Sequence, residues 1–112
     1  MEEFLLNSPS PVLRMEIEGT IIYSNEAGKL LLEVWESRIG DKVPADVQKA
    51  VRKAAFRRKS EYMELEAGEK TYLATLMPSA DYKYVILHTS DITLSKQAER
   101  KLSLVDRHHK TF

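Results

Sequence analysis

The chain has 112 residues, enough for one domain with one hydrophobic core. Its 17 basic and 17 acidic residues leave a formal net charge of zero, so no overall field favours nucleic acid or an anionic membrane as a partner. The absence of cysteine excludes disulfides, thiolate catalysis and cysteine-ligated zinc and fits a cytoplasmic location, while the sequence contains no run of the roughly 20 apolar residues that span a bilayer.

The N-terminal part of the chain predicts a helical turn followed by a hairpin. Residues 2–7, EEFLLN, indicate a short amphipathic turn, which the prolines of the following SPSP end. Apolar residues then alternate with charged ones in VLRMEIE, where Leu13, Met15 and Ile17 share one face, as in a half-buried strand. Gly19 interrupts this pattern before TIIY, so we predict a tight hairpin in which Gly19 has a positive φ.

Two helices are predicted next. Asn25 is placed to be the N-cap of a helix over EAGKLLLEVW, whose apolar stripe includes Leu31 and Trp35. Residues 45–60, ADVQKAVRKAAFRRKS, indicate a second amphipathic helix. Its segment KAVRKAAFRRKS contains six basic residues, which we interpret as a solvated face rather than a nucleic-acid surface because the rest of the chain is acidic.

Three further strands and a terminal helix complete the order. EYMELEA alternates, with Met63, Leu65 and Ala67 opposite Tyr62 and the two glutamates between them, and a turn around Gly68 leads into TYLATLMP. YVILHTSD is rich in β-branched and aromatic residues. From Leu94 the chain indicates a charged helix, in which Ala98, Leu102 and Val105 have the spacing of a coiled-coil seam. We therefore predict an α+β domain whose five-stranded antiparallel sheet is covered by helices on one face.

Three motifs occur in the order found in one family of sensory domains. Asp91-Ile92-Thr93 ends the last strand before a charged helix, Asn25-Glu26-Ala27 follows the first hairpin, and TYLATLMPSADYKYVILHTSDIT forms a last long hairpin. With these motifs, residues 5–103 resemble the PAS family. The resemblance implies a sheet of strand order 2-1-5-4-3, helices on one face and a C-terminal signalling helix.

The resemblance also implies a division of the chain and a function. Residues 1–93 would form the sensory core, with residues 1–8 as an N-terminal cap turn, and residues 94–112 the signalling helix and tail. Such a module senses a small ligand or a partner and relays the signal to an output domain, such as the histidine kinase of a two-component system. The alternative is a ligand-free dimerisation or protein-interaction scaffold of the same fold.

The expected ligand site lies between the helices and the sheet, where simple core packing is the alternative interpretation. Without cysteine, neither a cysteine-linked flavin nor a cysteine-linked chromophore can form, and a haem with an axial histidine is disfavoured because residues 45–60 contain none. A noncovalent flavin or another small organic ligand stays open. The candidate lining residues are Tyr23, Leu31, Trp35, Val51, Phe56, Leu76 and Leu87.

The sequence favours a relay over catalysis. No activated nucleophile or pair of titratable groups is evident, so we do not expect an enzyme. For the relay, we predict that the Thr93 hydroxyl caps the terminal helix and that Asp91 adds favourable negative charge at its N-terminus, with Ile92 between them. The seam formed by Ala98, Leu102 and Val105 predicts a homodimer, and neither nucleic acid nor a membrane is expected as a partner.

Overall fold

The protein is described by a computed structural model that covers residues 7–100. The predicted helical turn at residues 2–7 therefore lies almost wholly outside the described residues, as do Leu102 and Val105 of the predicted seam. The elements in chain order are β1 (Val12–Glu16), β2 (Ile21–Ser24), α1 (Lys29–Val34), α2 (Ala45–Arg57), β3 (Glu61–Ala67), β4 (Lys70–Pro78), β5 (Tyr84–Asp91) and a helix, α3, that begins at residue 93.

All five strands form one antiparallel sheet in the order β2-β1-β5-β4-β3, which confirms the predicted fold class and strand order. Short turns join β1 to β2 and β3 to β4, as expected for hairpins. The first and last strands meet in the middle of the sheet, where Leu13 lies opposite Leu87. β5 is therefore the central strand of the sheet and not an edge strand.

The hydrophobic core lies between one face of the sheet and helices α1 and α2. Strand alternation directs Leu13 and Met15 of β1 to this face, whereas Arg14 points to the opposite side. Helix α2 contributes a buried stripe at positions four and three residues apart, as the sequence predicted. The buried residues of α2 are Val47, Val51 and Ala54.

The opposite side of the sheet, called the outer sheet face below, carries a mixture of polar and apolar side chains. Tyr62 on β3 is 67% exposed and Leu73 on β4 is 38% exposed. His88 lies in the same row as Tyr62, between Val12 and Thr75. Its place on a strand face agrees with a structural role for this histidine.

The first hairpin and the first helix differ in part from the sequence prediction. Gly19 has φ +99°, which confirms the expected positive φ. Ile17 does not share the buried face of β1, because the strand ends at Glu16 and Ile17 lies exposed in the turn. Asn25 is not the N-cap of α1, since the helix starts four residues later and Gly28 takes that position.

Candidate functional site

The candidate site is the junction between β5 and α3. The Ile92 N–H donates a hydrogen bond of 2.8 Å to the Thr71 carbonyl on β4, which extends the sheet ladder one residue past the end of β5. The Ile92 carbonyl accepts a hydrogen bond of 2.9 Å from the Lys96 N–H, the first i→i+4 bond of the helix. Ile92 thus belongs to the last rung of the sheet and to the first turn of α3, with no flexible spacer between them.

Two side chains close this junction. Asp91 Oδ1 accepts hydrogen bonds from the Thr93 N–H at 2.9 Å and from the Thr93 hydroxyl at 2.6 Å. Thr93 Oγ1 in turn accepts a hydrogen bond of 2.9 Å from the Thr71 N–H. If β5 were longer, a backbone carbonyl of β5 would accept this hydrogen bond from β4. The Thr93 side-chain oxygen takes the place of that carbonyl.

The predicted cap role of Thr93 is wrong in its detail. Its hydroxyl faces β4 rather than the N–H groups of α3, because Thr71 offers a donor where the strand pairing ends. Asp91 provides the side-chain cap instead, through the N–H of the residue two positions on. The predicted negative charge of Asp91 at the start of the helix agrees with this geometry.

Charge interactions at the junction are exposed to solvent. Hydrogen bonds from the Thr93 hydroxyl and then from the Thr93 N–H, with a smaller effect of the Lys70 charge, lower the pKa of Asp91 below its ordinary value. Lys96 on α3 forms ion pairs with Glu64 of β3 at 2.7 Å and with Glu99 at 3.2 Å. These contacts, with Glu64 the larger, raise the pKa of Lys96.

The first turns of α3 are therefore held at two places on the sheet. Thr93 contacts β4 and Lys96 contacts β3, so the helix begins across the two strands that follow β5 in the sheet order. An open cavity of about 560 Å³ adjoins the junction. It is lined by Lys70, Asp91, Thr93, Leu94 and Ser95.

Five of the seven predicted pocket residues lie together in the core. Leu31, Val51, Leu76 and Leu87 have no exposed surface, and Trp35 is half-buried against them. The structure therefore brings these residues to the predicted place between the helices and the sheet. Their role in ligand binding stays a prediction.

The other two pocket residues lie elsewhere. Phe56 is 90% exposed, because it follows Val51 by five residues and so points away from the buried stripe of α2. Tyr23 lies opposite Arg14 and therefore on the outer sheet face. Simple alternation would place Tyr23 on the same face as Ile21, two residues earlier. The register of the hairpin shifts between Arg14 and Met15, and this irregularity places Tyr23 on the opposite face.

A second polar cluster was not predicted from the sequence. Asn25 is 2% exposed, and its Oδ1 accepts hydrogen bonds from the N–H groups of Val12 at 2.9 Å and Gly28 at 2.8 Å. Its Nδ2 donates to the carbonyls of Ser8 at 3.2 Å and Ser10 at 3.0 Å. An asparagine directly after a strand and three residues before a glycine was the available signal.

The described part of the chain contains neither a metal-binding cluster nor a membrane-spanning helix. Among residues 7–100, no three His, Asp or Glu side chains are grouped so that they could hold a metal ion. Within the same range, no helix has the length and apolar character needed to cross a membrane.

Comparison with known proteins shows the fold. A domain of an HTR-like protein from Haloarcula marismortui matches with a TM-score of 0.60 and 18% identity, over 77% of this chain and 100% of that one. The PAS domain of Bordetella pertussis BvgS matches with a TM-score of 0.58 and 15% identity, over 95% and 93% of the two chains.

A third solved structure is the sensor region of a sensor histidine kinase, with a TM-score of 0.53 and 16% identity over 80% of this chain and 43% of that one. No protein-family model and no curated protein matches the sequence. The chain therefore has the PAS fold, as its motifs predicted.

Proposed function

We propose that this chain is a sensory signalling module that transmits a change in its sheet through the junction of β5 and α3. The observation that carries the proposal is the position of Ile92, which is shared by the sheet ladder and the helix. The similarity to BvgS and to the sensor region of a histidine kinase supports a sensory role, with a kinase as the output domain of a cytoplasmic signalling protein.

The contacts at the junction suit a relay because they are few and exposed. Thr93 depends on the position of β4, and Lys96 depends on the position of β3. A small displacement of either strand relative to β5 would therefore change where α3 begins and how it is tilted. Exposed ion pairs and single hydrogen bonds contribute only about 1 kcal/mol or less each, so such a rearrangement is accessible without unfolding the domain.

The input enters, in this proposal, on the helix side of the sheet. Helix α1 has six residues, no side-chain cap, no acidic residue in its first turn and no basic residue in its last turn. A helix this short has little stability of its own, so α1 can move more easily than the longer helix α2. A small organic ligand would lie under it, between Leu31, Trp35 and the sheet.

A chimaera tests the relay. Residues 1–112 would replace the PAS domain that precedes the catalytic region of a sensor kinase, and autophosphorylation would be measured for the wild type, Asp91→Ala and Thr93→Val. We expect both variants to keep the fold and to fix the kinase in one activity state. The matched control is Arg38→Ala, an exposed change outside the junction. Wild-type output from both junction variants would contradict the relay.

Native mass spectrometry of the purified chain tests the ligand. A bound small molecule that is released on unfolding, and whose retention falls in Leu31→Trp, supports ligand sensing. Leu31 is chosen because it has no exposed surface and faces the predicted site, so a larger side chain would fill it. A protein of the bare chain mass, under conditions that keep a noncovalent flavin bound to a control protein, would argue against a resident ligand.

The second candidate function is a ligand-free homodimer or interaction scaffold. It is favoured by the outer sheet face, where Tyr62 and Leu73 are exposed, and by Ala98, which is exposed on α3. Analytical ultracentrifugation of the chain with and without residues 94–112 tests the dimer, and Leu73→Lys tests the sheet face. A monomer at high concentration for both lengths of chain would exclude the homodimer.

A further inference from the structure

A groove on the surface of α2 is independent of the junction. It lies between the outer side of α2, the turn after β1 and the loop between β4 and β5, and it has a volume of about 350 Å³. Phe56 is 90% exposed at its edge, and Ile17 and Tyr82 are nearly half exposed. Among residues 7–100, it is lined by Ile17, Arg52, Ala55, Phe56, Arg58 and Tyr82.

Phe56 has no structural reason to be aromatic. It lies on the side of α2 opposite the buried stripe, where a polar residue would serve the fold better. Lys49 and Arg52 are exposed seven and four residues earlier on the same helix, so basic side chains lie on one side of the ring. Together with Ile17 and Tyr82, which are partly exposed beside it, the ring forms an apolar patch bordered by cations, which is a feature of binding surfaces.

Two backbone positions point to the same groove. Arg58 ends α2 with φ +55°, and Tyr82 has φ +59° in the loop that faces it. Glycine is the usual residue at such positions, because it has no Cβ to strain. Here both positions carry large side chains, and the Arg58 guanidinium carbon lies 4.5 Å from the centroid of the Tyr82 ring. The stacked pair forms one wall of the groove.

The charge of the groove defines its partner. Its two charged lining residues, Arg52 and Arg58, are both basic, and the exposed Lys49 and Arg57 lie on the same helix. Lys53 is already paired with Glu61 at 3.4 Å, which interrupts the basic surface that a long phosphate backbone or a lipid headgroup layer would need. A concave apolar floor with two cations at its rim fits one or two apolar side chains flanked by carboxylates.

We propose that this groove binds an acidic amphipathic segment of a partner protein, with an aromatic or aliphatic side chain placed between Phe56 and Tyr82 and carboxylates paired with Arg52 and Arg58. The proposal is separate from the relay, because no residue of the groove contacts the junction residues Asp91, Ile92 or Thr93 through any of the hydrogen bonds or ion pairs described above. The contact would add a docking function to the side of the domain that α2 covers.

A peptide display experiment tests the groove. A random library of peptides of about 12 residues, a length that covers a helix in a groove, is selected on the wild-type chain with Phe56→Ser as the counter-selection target. We expect enrichment of sequences that combine Asp or Glu with Phe, Leu or Trp. The leading peptide is then synthesised with a fluorophore, and its affinity is measured by anisotropy at low and high salt.

The variants separate the groove from general stickiness. We expect Phe56→Ser and Arg58→Gly to weaken the peptide by about tenfold or more, as for the central residues of an interface. Arg58→Gly is informative because glycine suits the backbone of that position, so unfolding cannot explain the loss of binding. Ile39→Ser, a change of an exposed apolar residue in the loop between α1 and α2, is the matched control and should leave the affinity unchanged.

Several results would overturn the proposal. These are the absence of any enriched acidic sequence, equal binding of the enriched peptides by Phe56→Ser and the wild type, and equal weakening by Ile39→Ser. Binding of a single-stranded oligonucleotide or of vesicles with anionic lipid that depends on Phe56, with no binding of the acidic peptide, would assign the groove to a different class of partner and reject the one proposed.

Discussion

Two polar clusters hold chain segments to the same sheet, and they differ in burial. The Asn25 cluster is buried and joins β1, the turn before α1 and the segment before β1 through four hydrogen bonds of one amide. The Asp91–Thr93 cluster is exposed at Asp91 and only partly buried where Thr93 joins α3 to β4. Buried hydrogen bonds are expensive to break because the freed groups have no water, whereas exposed ones are replaced by water at little loss. The first cluster is therefore expected to stabilise the fold, and the second is the one whose rearrangement the proposed relay requires.

The largest expected effect comes from Asn25→Ala. The change leaves the N–H groups of Val12 and Gly28 without their side-chain acceptor in a buried region, so we expect a loss of about 2–4 kcal/mol in the free energy of unfolding. Urea denaturation followed by circular dichroism measures it. The control is Glu33→Ala, an exposed change on α1. A loss no larger than that of the control would remove the distinction between the two clusters.

Gly28→Ala should cause the next largest loss of stability. The reason is a steric clash of the added Cβ and not the backbone conformation. A Cβ at this position would overlap Ser24 Oγ and would lie 3.1 Å from Asn25 Oδ1 and 3.1 Å from Leu13 Cδ2. We expect a loss of about 1–3 kcal/mol in the free energy of unfolding. The double variant Ser24→Ala/Gly28→Ala, compared through a double-mutant cycle, should recover part of the loss. Additive effects of the two changes would show that the overlap with Ser24 does not matter.

A smaller effect is expected from Thr93→Val, which keeps the shape of the side chain and removes its hydroxyl. The Thr71 N–H then loses its acceptor, and we expect a loss of about 1 kcal/mol in the free energy of unfolding. Hydrogen exchange should become faster at the Thr71 amide and in residues 93–100, with the core strands unaffected. Thr93→Ser is the matched control and should restore protection. Faster exchange throughout the sheet would show that the hydrogen bonds of Thr93 stabilise the whole fold and not only the junction.

The smallest effect is the pH dependence of the exposed cluster. The pKa of Asp91 is lowered from its ordinary value of 3.8 in the folded chain. The contribution of its hydrogen bonds is therefore complete above pH 3.8 and is lost as the pH falls through the lower folded-state pKa. The Thr93 amide shift in NMR spectra should titrate below pH 3.8. Asp91→Asn should abolish this titration, and a midpoint above the ordinary value would contradict the geometry.

Sequence reasoning was most successful where a repeating pattern governs the structure. The alternation of β1, the buried stripe of α2 and the motif at residues 91–93 predicted the sheet, the helix face and the junction. It failed where one local irregularity changes the outcome. The register shift beside Arg14 moved Tyr23 to the outer sheet face.

The two polar clusters show the same limit at the level of single atoms. The sequence indicated that Asn25 and Thr93 would be caps of helices, because those residue types often are. Neither caps the helix expected of it, and each binds a backbone group brought close by the tertiary fold, although Asn25 also accepts a local hydrogen bond from the Gly28 N–H. For Asn25 these groups include the Val12 N–H, and for Thr93 it is the Thr71 N–H. Pairings between distant parts of the chain are not encoded in local residue preference.

The sharing of Ile92 between the sheet and α3 also sets the rotation of α3 about its axis, as far as residue 100, where the described part of the helix ends. One residue inserted between Asp91 and Thr93 would turn the downstream helix by about 100° and advance it by about 1.5 Å. Seven inserted residues would nearly restore the original azimuth, because they complete almost two turns. Only insertions of certain lengths would therefore preserve the orientation of a domain attached through α3. That orientation follows from the hydrogen bonds between the end of β5 and β4.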